Sequence, residues 1–144
     1  MGESINTSIL IPLLPMIAAL FIFVLLVSFN RTINRLTKPV SALVAISLLF
    51  SGSVSAYYYL REIEGEIALS RYLKFFEKTN LVIHLNSLNE KIIIFFCLIM
   101  ITLIGFSVYK LPRKQGYVSF IISVGIVSSS VMLSMLLIDF SALT

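Results

Sequence analysis

Glu62, Glu64 and Glu66 alternate along the chain, and paired carboxylates at such spacing can trade protons in acid–base chemistry. They sit in a polar connector, where solvated side chains are the simpler reading. His84 is the only histidine. It could relay a proton, but no second metal-type ligand stands at suitable spacing, so an exposed or interfacial imidazole is expected. Cys97 is the only cysteine, which excludes an intrachain disulfide and leaves a small apolar residue inside a helix. Tyr57-Tyr58-Tyr59 could serve redox or ring stacking; at the end of an apolar run it reads as an aromatic belt at the headgroups. The chain holds no GxSxG, HExxH, phosphate-binding loop, CxxC or CxxCH pattern. No catalytic residue, cofactor or metal ligand is therefore expected, and the chain does not read as an enzyme.

The elements around these residues belong in a bilayer. Hydrophobic residues make up 58% of the 144, and charged residues only 12%, against about 25% in an ordinary soluble domain. Four uncharged or nearly uncharged runs, 8–29, 40–60, 87–109 and 117–138, each approach the ~20 residues that cross a ~30 Å hydrocarbon layer as a helix. Inside that layer the backbone must satisfy its own N–H and C=O groups, so each run is predicted helical. The predicted fold is an all-α membrane protein, one membrane domain over 1–144 with four transmembrane helices. Its organising unit is expected to be the last hairpin, two runs around the basic connector 110–116. Met1-Gly2-Glu3-Ser4 lacks a basic leader, so the first run is expected to stay as a helix. Pro12 and Pro15 fall near its start, where a missing N–H is tolerated, although Pro15 needs packed neighbours.

Small hydroxyl residues repeat on the second and fourth runs. Ser47, Ser51 and Ser55 recur every four residues, with Gly52 and Ala56 beside them. Ser119, Ser123, Ser130 and Ser134 recur by four and seven, with Gly125, Ser128 and Ser129 nearby. Both stripes are predicted helix-packing faces, where cross-helix hydroxyl bonds contribute ~0.6–2 kcal/mol each. No charge falls mid-run, which argues against an ion pathway through the chain.

The connector 61–86 is the long one, and the basic and acidic residues of 61–91 balance. Leu69, Tyr72, Leu73 and Phe76 follow helical spacing, which suits a short interfacial helix or a partner contact. Thr79 to His84 reads as extended. Arg31, Arg35 and Lys38 mark the first short connector; Lys110, Arg113 and Lys114 mark the last. The positive-inside rule places both on the cytoplasmic side, or its organellar equivalent, and both termini on the other. The net charge of +4 is thus explained by orientation, and no nucleic-acid partner is expected.

Several segments resemble one family. Leu10-Ile11-Pro12-Leu13-Leu14-Pro15 is similar to the start of the antiporter-like membrane subunits of complex I (type I NAD(P)H dehydrogenase) and of multisubunit cation/proton antiporters. Asn80-Leu81-Val82-Ile83-His84-Leu85-Asn86-Ser87-Leu88 resembles the lead into their third helix. Gly116-Tyr117-Val118-Ser119-Phe120 and Ser128-Ser129-Ser130-Val131-Met132 resemble their G-Y-x-R-F-F start of helix four and its small face. The family usually has Asp where His84 stands and Arg where Ser119 stands. The likeness covers roughly the first quarter of such a subunit. The G-W-E motif with the pumping glutamate, and the lysine of the seventh helix, would lie past Thr144, so no pumping residue carries over.

The resemblance implies a small non-catalytic membrane subunit, accessory or a split N-terminal part, that braces a proton-pumping complex. Its partners would be other integral membrane subunits and lipids, in a bacterial inner, thylakoid or organellar energy-converting membrane. Two alternatives stay open: a structural subunit of another energy-converting complex, and a homo-oligomeric small channel or transporter.

Overall fold

The computed structural model describes residues 7–68, 81–110 and 116–138. A 3-10 turn, Thr7–Ile9, leads into α1 (Leu10–Ser28); a short helix α2 (Asn30–Ile33) precedes α3 (Thr37–Leu60). Strands β1 (Gly65–Ala68) and β2 (Val82–Leu85) follow, then α4 (Ser87–Lys110) and α5 (Tyr117–Leu137). Among the described residues four helices are long and apolar enough to cross a membrane: Thr7–Ser28, Thr37–Leu60, Ser87–Lys110 and Tyr117–Leu137. The chain is a multi-pass integral membrane protein. α3 begins before the expected residue 40, because Pro39 falls in the first turn, where its missing N–H is not needed.

The last hairpin is not the packed unit that the sequence suggests. α4 and α5 meet only sparsely; α4 lies along α3, α3 along α1, and α1 along α5. Lipid tails are as apolar as leucine, so close van der Waals approach selects the neighbours. That approach needs small side chains facing each other. A Cβ built on Gly52 of α3 would stand 3.3 Å from the Cys97 Cβ of α4. One built on Gly125 of α5 would stand 2.9 Å from the Ala19 Cβ of α1. Ile22, Val44, Leu48, Ile93, Ile121 and Met132 fill the space between. Outside, Phe21, Phe50, Phe95 and Phe106 are exposed, as side chains that face hydrocarbon must be.

Pro15 lies inside α1 and removes the donor that Ile11 O would use. The neighbouring carbonyl of Pro12 accepts the Ser129 hydroxyl of α5 at 2.6 Å. Pro12 and Pro15 are both buried, so the distorted turn is held against α5, the packing that Pro15 requires.

The connector holds an antiparallel strand pair, in register Gly65↔Leu85, Glu66↔His84, Ile67↔Ile83, Ala68↔Val82. Ile67, Ile83 and Leu85 are buried on the bundle side, while Glu66 and His84 share the opposite face, the period-2 alternation of a half-covered sheet. The extended reading of Thr79 to His84 is found over Val82 to His84, with Thr79 and Asn80 outside the described residues. Leu69, Tyr72, Leu73 and Phe76 lie outside the described residues.

Candidate functional site

Polar side chains gather at both ends of the bundle. At the end where α3 starts and α4 finishes, three helices share a hydroxyl chain. The Ser41 hydroxyl donates to Thr37 O at 2.8 Å, so the Tyr117 hydroxyl, 2.9 Å away, donates to Ser41 Oγ. Ser107 in turn donates to the Tyr117 oxygen at 3.3 Å. Every proton in this buried chain has an acceptor, which makes it a lock between α3, α4 and α5.

The other end is richer. α1 and α4 start there, and α3 and α5 finish there. Thr7 Oγ1 and the buried Tyr58 hydroxyl are 2.6 Å apart and hydrogen-bonded. Asn89 Nδ2 donates to His84 O at 3.0 Å and to Ile138 O at 3.1 Å, pinning β2 and the end of α5 to the first turn of α4. The strand pair places His84 Nδ1 3.2 Å from Glu66 Oε1, an ion pair when the imidazole is protonated. Glu66 is largely exposed, so the pair adds little beyond pinning the strands.

α3 ends in a Schellman pattern. Glu62 N donates to Tyr59 O and Ile63 N to Tyr58 O, both at 3.2 Å, with Glu62 in the left-handed region at φ 50°. Glycine ordinarily fills that position, since a Cβ there crowds the backbone. The turn borders a cavity of about 530 Å³, lined by Tyr59, Leu60, Glu62, Glu64, Ser87 and Glu90.

Glu90 is the unusual member. It is 1% exposed, and its Oε1 has no hydrogen-bond partner among the described residues. It stands three residues into α4, about 4.5 Å along the axis from Ser87. Ser55 of α3 donates to the Glu90 backbone oxygen at 3.2 Å, which locks that turn of α4 against α3. Among the described residues the neighbouring cations stand over aromatic rings: Lys91 Nζ lies 5.1 Å from the Tyr59 ring centroid, and the Arg61 guanidinium 5.9 Å from that of Tyr57. The tyrosine cluster thus divides, with Tyr58 buried and bonded and its two neighbours under cations at the rim.

The two serine stripes part company. Ser47, Ser51 and Ser55 are buried; Ser47 bonds to Val44 O, Ser51 to Ser47 O, and Ser55 crosses to α4. Ser119, Ser123, Ser130 and Ser134 are exposed and do not pack inside this bundle. Ser123, Ser130 and Ser134 bond back to the carbonyls of Ser119, Ile126 and Ser130, four residues earlier. The face that packs on α1 is the opposite one, with Gly125, Ser128 and Ser129. At 100° per residue both stripes are valid faces of one helix, and only the position of α1 chooses between them.

Sequence reasoning did not single out Glu90, since an acid in the first turn of a helix is ordinary, favoured there by the helix dipole. Its spacing carried no sign that α3 would cover it. Glu62 and Glu64 are exposed, as expected, but they face a cavity shared with Glu90. Among the described residues no three His, Cys, Asp or Glu side chains are grouped closely enough to hold a metal ion. No protein-family model matches the chain, and no curated protein matches it in sequence.

Proposed function

We propose that the chain is a small scaffold subunit of a multisubunit membrane complex, of the complex I-like or antiporter-like kind that its sequence resembles. The observation that supports this reading is the outward stripe of Ser119, Ser123, Ser130 and Ser134 on α5. Small residues on a lipid-facing surface give lipid nothing to grip but let a neighbouring helix approach closely. Gly105 on α4 adds a second open spot, since a Cβ built there would meet nothing within 4 Å. The work of such a subunit is lateral bracing in a bacterial inner, thylakoid or organellar energy-converting membrane. Both basic connectors face the cytoplasmic or equivalent side. Electron transfer and proton translocation belong to the partners, and the chain itself carries no catalytic residue or cofactor in this reading.

Extraction of the tagged chain in mild detergent tests the proposal. Large integral membrane subunits should co-purify, and Ser123→Leu with Ser130→Leu should release them while the chain stays folded. A clean monomer counts against any assembly. Partners unrelated to pumping or electron-transfer subunits would leave the scaffold role and remove the family. The same outward stripe also suits a second reading, a homo-oligomeric channel whose copies line a path with hydroxyls. That reading requires a homo-oligomer in the same extraction.

A further inference from the structure

We propose that the cavity between the end of α3 and the start of α4 binds the primary ammonium group of an organic cation. This holds whichever assembly the chain joins. Glu90 carries the case. A carboxyl group that is 1% exposed, with an Oε1 that has no hydrogen-bond partner among the described residues, has lost its water to that oxygen, and Glu90 lines the cavity. Glu62 and Glu64 add two carboxylates at the open side, and the negative end of α3 points the same way. Glu62 borders the cavity in a backbone conformation that suits glycine better. Among the described residues the adjacent cations, Lys91 and Arg61, stand over tyrosine rings at the rim.

The class of cation follows from the geometry. No three acidic or other ligating side chains among the described residues are grouped as metal ligands. The cavity, about 530 Å³, falls in the range of small-molecule sites rather than that of a bare ion. An ammonium group has three N–H donors to distribute over the acceptors that line the cavity, Glu90, Glu64 and Ser87 among them. Two sources carry this group: a soluble amine, and the ethanolamine headgroup of a lipid. The cavity lies at the end of two spanning helices, at headgroup depth, and Lys91 outside it suits the phosphate of such a lipid.

The test measures thermal stability of the purified full chain in detergent with ethanolamine, against sodium chloride at equal ionic strength. A parallel arm uses phosphatidylcholine nanodiscs with and without phosphatidylethanolamine. Ethanolamine should raise the unfolding midpoint beyond the salt control. Glu90→Gln, of nearly equal volume, should weaken that response by about tenfold or more, the loss of a charge-assisted hydrogen bond. Glu64→Gln on the exposed rim should weaken it less, and it reports on the site even where the buried variant misfolds. Glu66→Gln, outside the cavity, should leave it intact. Stabilisation by phosphatidylethanolamine as well identifies a lipid as the source; stabilisation by ethanolamine alone identifies a soluble amine. No response beyond the salt control, or an undiminished response in both Glu90→Gln and Glu64→Gln, would overturn the proposal.

Discussion

Glu90 and Tyr117 show how differently one buried polar atom can be treated. The Tyr117 hydroxyl is fully used, donating to Ser41 and accepting from Ser107, whereas Glu90 Oε1 has no partner among the described residues. Tyr117→Phe removes two bonds and strands the Ser107 donor, so a loss of about 1 kcal/mol is expected, at the low end for buried hydroxyls because the unfolded helices also find partners in the membrane. Chemical or thermal unfolding in micelles measures it. Glu90→Gln should move stability the other way, because it replaces a buried ionisable group that lacks a hydrogen-bond partner at Oε1 with a neutral one of almost unchanged shape. A lower unfolding midpoint for Glu90→Gln in amine-free detergent would mean that the carboxylate already has a partner. Glu62→Gly should be stabilising by about 1 kcal/mol or less, through relief at φ 50°, and should thin the negative charge of the cavity.

Helix pairing is settled by the smallest side chains. Gly125→Ala puts a methyl group 2.9 Å from the Ala19 Cβ, which forces α1 and α5 apart and should cost about 1–3 kcal/mol. Ala19→Gly in the same chain should restore most of that loss, and the double-mutant cycle read by unfolding isolates the contact. Four spans and their approximate ends were legible, because hydropathy and length alone determine them; the extended segment was legible in part, over Val82 to His84. The active serine face of α5 was not. Two small stripes lie on opposite sides of one helix, and periodicity carries no information about which side a non-neighbouring helix will take. The same gap hid the cavity, whose walls come from α3, the Glu62–Glu64 turn and α4, and it gave the last hairpin a weight that α1 and α3 hold instead.

At the scale of the molecule, the described ends meet on one side: Thr7 bonds Tyr58, and Ile138 O accepts from Asn89. Arg35 and Lys110, described basic residues that flank or open the two short connectors, lie at the opposite end. With Cys97 replaced by alanine, a cysteine at Arg35 should react with impermeant thiol reagents only from the cytoplasmic side, and one at Glu66 only from the other. The reverse pattern would invert the assigned sidedness. The account's central claim is that the chain braces a membrane machine and does not conduct by itself. Reconstitution of the purified chain alone into liposomes, with pH- and cation-sensitive dyes inside, tests this most directly. The predicted result is the same proton and cation leak as in protein-free liposomes; a selective flux above that background, reduced by Glu90→Gln, would contradict it.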